Sequence, residues 1–281
     1  MIDKKTLSRE IGLEIGTICG KHLLNVEHLH YGYWTKDIKV DLANLPAAQK
    51  KYTDFLMSNV PDGVRSILDV GCGMGQTAKR LTEAGYKVDC VSPSSFLAQQ
   101  ARALLQEKSE VFECFYEQLQ TEKRYDLVLF SESFQYIDPE TAIKKTLSLL
   151  NPAGRILICD IFKVDINEKS PISGGHNLTK FLTMMSQYPF ELIKNLDITE
   201  ETAPSRDIEN HICKDVLEPV SMLLGKLVQS RYPLLSKFLK WKYRKKIEKM
   251  RRKYFSDQRT AEIFKKFKTY RLLLYKTNAN G

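Results

Sequence analysis

The chain has 281 residues, enough for one α/β domain of ordinary size or one domain plus an appendage, and 43% of them are hydrophobic, as a globular protein with a proper core requires. Its six cysteines are scattered without a C-x-x-C pair, which argues against a disulfide framework or a zinc site and fits a reducing, cytoplasmic setting. The net charge of +9 is uneven: residues 230–276 hold 17 Lys/Arg against 3 Asp/Glu, leaving 26 against 31 elsewhere, so an anionic partner is a candidate only for the C-terminal part.

The start, "MIDKKTLSREIG", lacks an apolar h-region, so no secretory signal peptide is expected. No stretch approaches the roughly 18 apolar residues of a membrane-spanning helix. Residues 1–60 read as a helical segment interrupted by the aromatic "HLHYGYW" (His28 to Trp34). A strand–helix alternation follows. "SILDV" (Ser66–Val70), "KVDCV" (Lys87–Val91), "EVFECF" (Glu110–Phe115), "YDLVLF" (Tyr125–Phe130) and "RILICDIF" (Arg155–Phe162) are short apolar runs, and helical patterns lie between most of them. The turn "NPAG" (Asn151–Gly154) ends the last of these helices. "GGHNLTKFLTMMSQ" (Gly174–Gln187) predicts a further helix and "FELIKNLDI" (Phe190–Ile198) a sixth strand. Helices of their own are expected in the long stretch to about Lys268, because some 70 residues are too many for a bare loop. "TYRLLLYKT" (Thr269–Thr277) is a late strand, placed at the sheet edge. The pattern predicts a doubly wound parallel α/β sheet. It divides into an N-terminal segment 1–60, a core 61–198, a helical cap 199–268 and a last core strand 269–281.

"LDVGCGMG" stands where the first strand meets its helix, the place where open α/β sheets bind ligands. Gly71 and Gly73 fit a dinucleotide fingerprint, but its third glycine should fall at Gln76, and the glycine comes one residue early at Gly75. A G-x-x-x-x-G-K-[ST] phosphate loop is absent. An acidic residue, a spacer and G-x-G-x-G instead resembles the class I S-adenosylmethionine (SAM) methyltransferases, here Asp69 to Gly75. The resemblance also covers "YDLVLFSES", "NPAGRILICD" and "YRLLLYK". It implies a Rossmann-like, seven-stranded sheet and SAM as cofactor, with S-adenosylhomocysteine as product. It also implies a loop of Gly71, Cys72, Gly73, Gly75 and Gln76 around the methionine part, Asp69 on the amino group, and Ser131 at the end of the fourth strand.

Two departures narrow the subgroup. Ser92 replaces the acid that usually binds the ribose, and a serine can still hydrogen-bond there without charge. Phe115 stands where an acid usually meets the adenine, with Glu117 close by as a substitute. "HYGYW" (His30–Trp34) and "SESFQYI" (Ser131–Ile137) are similar to segments of the tocopherol C-methyltransferases and cyclopropane synthases. The first implies that Tyr31 and Tyr33 close over SAM. In the second, the Glu-His pair of the synthases becomes Gln135 and Tyr136, which argues against their bicarbonate chemistry. Gln135 and Tyr136 are candidates to hold or activate a nucleophile, and His176 in "SGGHNL" is a candidate proton acceptor. No His/Asp/Glu cluster has metal spacing.

"RYPLLSKFLKWKYRKKIEKMRRKYFSDQR" predicts a basic helix with an apolar stripe of Leu239, Tyr243, Ile247, Met250 and Tyr254. The stripe can pack on the domain, or residues 234–255 can lie on a membrane surface. Nucleic-acid binding is the weakest reading, since no RNA-binding module accompanies the helix. The functional expectation is methyl transfer to a small-molecule or lipid acceptor, with carbon favoured over oxygen or nitrogen. RNA or protein methylation and non-catalytic SAM binding are the alternatives. Nothing in the sequence fixes the acceptor or the oligomeric state.

Overall fold

The computed structural model describes residues 4–256 and 258–278. Helices α1 (Lys4–Leu23) and α2 (Leu45–Ser58) flank the aromatic segment, which has no regular structure beyond a short turn at Leu42–Asn44. Strand β1 (Ser66–Val70), helix α3 (Gln76–Glu83), β2 (Lys87–Val91), α4 (Ser95–Leu105), β3 (Val111–Phe112), β4 (Tyr125–Ser131), α5 (Pro139–Leu149) and β5 (Leu150–Lys163) follow. A two-residue strand β6 (His176–Asn177), α6 (Leu178–Met185) and β7 (Phe190–Asp197) complete this half. The cap comprises α7 (Thr199–Thr202), α8 (Pro204–His211), α9 (Glu218–Arg231), α10 (Pro233–Tyr254) and α11 (Ala261–Phe267), and the chain returns to the sheet as β8 (Lys268–Thr277).

The sheet order is β3-β2-β1-β4-β5-β8-β7, with β6 paired to the end of β5. The first five strands are parallel and β8 runs antiparallel to both neighbours. Strand periodicity sends alternate residues to opposite faces. Ile67, Leu127, Leu129, Leu157, Leu272 and Leu274 pack with Tyr52 of α2 and Ala98 of α4. Leu68, Val128, Phe130, Ile156, Ile158 and Leu273 pack on α5 and α6. Both faces are covered, which explains the unbroken apolar runs. Burying one such leucine contributes about 1.5–3 kcal/mol.

Three expectations need correction. The last strand is not an edge: β8 pairs with β5 on one side and β7 on the other, and β7 lies at the margin. Strand propensity shows that a segment pairs, not with how many neighbours. His176 does not open a helix. It pairs with Phe162 in β6, and the Asn177 side chain caps α6 by accepting from the Lys180 amide at 2.8 Å. The third strand keeps only Val111–Phe112 of its expected six residues, because only Cys90 and Val91 of β2 pair with it.

The cap is uneven. Helices α8 and α11 pack on the core through Ile208, Phe264 and Phe267, whereas in α9 no residue is buried and in α10 only Ser236 is, among the described residues. The expected stripe of α10 is half-exposed throughout. The hairpin α9–α10 is tied internally by Lys240 Nζ to Gln229 Oε1 at 2.6 Å and by the Arg251–Glu218 ion pair.

Candidate active site

The carboxyl ends of β1, β4 and β5 bring the glycine loop, Glu132 and Asp160 to one edge of the sheet. Gly71, Gly73 and Gly75 all have positive φ. At Gly71 a Cβ would stand 2.5 Å from the Ser133 Cβ, so any side chain is excluded on space as well as backbone. At Gly73 a Cβ would meet nothing nearer than Leu29 at 3.8 Å; only its φ of 57° requires glycine, and the space above it is open. Gly75 starts α3 without a side-chain cap, leaving first-turn amides to a ligand.

Asp69 lies under this loop, 2% exposed, with Oδ2 lacking a hydrogen-bond partner among the described residues. Burial pushes its carboxyl up to about 7. An orphaned buried carboxylate oxygen demands a donor. The methionyl ammonium of SAM fits that demand, and the bare loop fits its backbone-hugging chain.

At the end of β2, the Ser92 hydroxyl sits within 3.4 Å of the Ser94 backbone and is spent on its own turn. Ser94 Oγ caps α4 and donates to Glu10 Oε2 of α1 at 2.5 Å, while Glu10 Oε1 is buried without a partner among the described residues. Glu10 thus brings a carboxylate to the turn whose own acid is missing. It is about 80 residues from that turn in sequence, so no local pattern marks it. Glu117 and Phe115 are both exposed beyond β3.

The aromatic segment is pinned from three sides. Tyr31 N–H donates to Glu132 Oε1 at 2.7 Å, and its hydroxyl accepts from Arg206 at 2.9 Å. The Ser205 hydroxyl accepts from Gly32 N–H and Trp34 Nε1, both at 2.9 Å. His30 stacks on Tyr52 with ring centres 4.3 Å apart, and burial pushes its imidazole down to about 3. Tyr33 lies elsewhere, stacked on Phe55 of α2 at 4.9 Å. Trp34 is buried, an anchor between α2 and the cap.

A cavity of about 340 Å³ opens beside Tyr31. Its floor includes Glu132, Gln135, Tyr136 and Ile161; Leu29 and Ile172 add apolar surface, and Arg206, Glu209 and Arg259 form a charged roof. A wider groove of about 570 Å³ lies around Lys87, Glu110 and Lys123 at the amino ends of the strands, remote from the glycine loop. The smaller cavity is the one with convergent chemistry. Glu132 has a left-handed backbone (φ 54°) that turns its carboxyl inward, where Tyr270 O–H donates to Oε1 at 2.6 Å. Burial pushes Glu132 up to about 8. Gln135 is clamped on buried Asp160 through its backbone amide at 3.0 Å and its side-chain Nε2 at 2.9 Å. Burial raises Asp160 to about 7. Ser131 Oγ lies 3.1 Å from the Tyr52 hydroxyl. His176 packs edge-on against Phe134, its Nε2 3.1 Å from the Phe134 carbonyl, and is not among the residues lining the cavity. Of the three candidates for the chemistry, Gln135 and Tyr136 meet in the cavity and His176 stays behind it. Among the described residues no His/Cys/Asp/Glu group could hold a metal.

Comparison with known proteins points to methyltransferases. A methyltransferase domain family matches residues 67–154. An uncharacterized methyltransferase of Mycobacterium tuberculosis is 29% identical over 111 residues, covering 40% of this chain and 44% of that protein. The chain therefore spans under half the length of this relative. A ubiquinone biosynthesis O-methyltransferase of Bradyrhizobium diazoefficiens is 28% identical over 173 residues, covering 56% and 68%. The structure of a geranyl diphosphate C-methyltransferase of Streptomyces coelicolor superposes with a TM-score of 0.65 at 15% identity, covering 94% of this chain and 93% of that one, a likeness of fold. The methyltransferase domain match covers residues 67–154, and the glycine loop and strand order around it are similar to those of the class I SAM-dependent methyltransferases.

Proposed function

We propose that the protein transfers the methyl group of SAM to a small acceptor held in the cavity beside Tyr31, with carbon the favoured acceptor atom. The observation that carries this is Asp69, a buried carboxylate with an unmet oxygen beneath three left-handed glycines. SAM supplies an already activated methyl group, so alignment and exclusion of water are the main tasks left to the protein. Asp69 and the loop Gly71–Gln76 hold its amino-acid part, Glu10 its ribose, and Glu117 the adenine side. Tyr31 and Leu29 separate that site from bulk water. Gln135 is immobilised on Asp160, its side-chain oxygen directed at Gly174, and fixes an acceptor polar group. Glu132, raised to about 8 and hydrogen-bonded by Tyr270, takes in its ionised form the proton that an oxygen, nitrogen or activated carbon acceptor must release. Carbon is favoured by the tocopherol-type segments and by the geranyl diphosphate C-methyltransferase; the ubiquinone O-methyltransferase supports oxygen.

Calorimetric titration with S-adenosylhomocysteine tests the reading, with Gly73→Arg as control. Micromolar binding to the native chain and none to the variant support it, because the introduced side chain would fill open ligand space rather than the core. No binding to the native chain overturns it.

The α9–α10 hairpin supports peripheral membrane contact as a second element of function. Leu234 is 83% and Trp241 75% exposed, and α10 carries ten basic residues against one acidic. Co-sedimentation with vesicles containing anionic lipid at low salt tests this; absence of binding removes it.

A further inference from the structure

The cavity roof carries more positive charge than the protein neutralises. Arg206 is 6% exposed, and its Nη1 donates to Glu209 Oε2 at 2.6 Å. Arg259, on the turn before α11, donates to that same oxygen at 3.3 Å. One carboxylate oxygen serves two guanidinium groups, and both Nε atoms are buried without a hydrogen-bond partner among the described residues. A third cation stands close. Lys268 is 1% exposed and donates to the carbonyl of Gly174, a residue of the cavity wall. No carboxylate is bonded to it among the described residues. Its ammonium is pushed down to about 8 by burial, with Lys163 and Arg206 adding repulsion. Buried like charges with unmet donors are costly unless an anion joins them. Leu29, Ile161 and Ile172 give the same cavity apolar lining.

We propose that this roof is an oxyanion subsite: Arg206 and Arg259 receive a carboxylate or phosphate group of the methyl acceptor, whose apolar part lies on Leu29, Ile161 and Ile172. This rests on the reading of the cavity as the acceptor site. Guanidinium groups suit the task because their planar donors match both oxyanions. Glu209 holds the pair in place before the acceptor arrives. The subsite orients the acceptor with its charged end under the cap and its other end toward Gln135 and Glu132.

The test is thermal denaturation of the full chain with saturating S-adenosylhomocysteine, titrated with inorganic pyrophosphate or succinate at constant ionic strength. Both anions are expected to raise the melting temperature, and the tighter of the two identifies phosphate or carboxylate as the acceptor's group. Arg259→Gln and Arg206→Lys are expected to weaken the response by about tenfold or more. Arg259 lies at a partly exposed turn, so its variant should fold even if the change at Arg206 does not. Lys87→Gln/Lys108→Gln, in the groove at the amino ends of the strands, should respond like the native chain. The proposal fails if neither anion shifts the native protein, if both arginine variants respond unchanged, or if only the Lys87/Lys108 variant loses the response. A separate titration with S-adenosylhomocysteine keeps the two readings apart. Anion binding that needs Arg206 and Arg259 without S-adenosylhomocysteine binding would keep the subsite and overturn methyl transfer; the reverse would keep methyl transfer alone.

Discussion

The proposed cofactor side and the proposed acceptor side of this site are built in opposite ways. On the cofactor side, Asp69 to Gln76 lie within one strand–loop–helix unit, and the backbone itself is the binding surface. On the acceptor side, Leu29, Glu132, Ile172, Arg206 and Arg259 come from five distant parts of the chain, and side chains do the work. The first design tolerates little change and is shared by enzymes of many specificities. The second changes with single substitutions, which lets one fold accept many substrates.

The largest way to break this contrast is at the loop. Gly73→Arg should abolish S-adenosylhomocysteine binding, a loss of at least about two orders of magnitude by calorimetry, with the circular dichroism spectrum unchanged. Asp69→Asn should separate binding from stability. Affinity should fall by about 1.5–3 kcal/mol as a charge-assisted bond is lost. The melting temperature at pH 8 should rise, because the folded carboxyl titrates near 7 and the unfolded one near 4. The folded state then holds its proton more tightly, so this carboxyl costs stability increasingly as pH rises from about 4 to 7. The variant's gain should therefore vanish toward pH 4; an equal gain at both pH values would refute the assignment. The same titration sharpens the ligand prediction. S-adenosylhomocysteine affinity should climb with pH up to about 7 and then level, with proton release visible as a buffer-dependent calorimetric heat at about pH 6.

Glu10→Gln probes the ribose end and should be milder, about three- to tenfold in affinity. The loss should shrink when the ligand lacks its 2′-hydroxyl; equal losses for both ligands would assign Glu10 a packing role only. The smallest effect is expected at the hairpin. Leu234→Ser and Trp241→Ser should change stability by less than about 0.5 kcal/mol, since neither side chain is buried, while vesicle binding falls.

The contrast also decides what the sequence could reveal. The order of strands and helices and the glycine loop are visible because apolar runs and glycine spacing are local patterns. Glu132 is visible only as part of a matching segment; its buried bond to Tyr270 joins residues 138 apart. Glu10, Arg206, Glu209 and Arg259 carry no signal, since each is an isolated charge on a helix or turn and acquires meaning only from what faces it. His176 shows the converse. Paired glycines make it conspicuous, yet those glycines serve the turn into β6, and the ring ends against Phe134. The neighbours of β8 are hidden for the same reason as Glu10, because pairing is a property of two segments.

That strand has a consequence for how the chain becomes a protein. Residues 268–277 follow every other strand in the chain, yet they occupy the interior of the sheet between β5 and β7. Until they emerge during synthesis, β5 presents an open edge and β7 has no neighbour at all. Tyr270, the hydroxyl that holds Glu132, cannot take its place before then. The Glu132 part of the cavity is thus completed only once this strand has joined the sheet, and chains truncated before Lys268 should be recovered as aggregates.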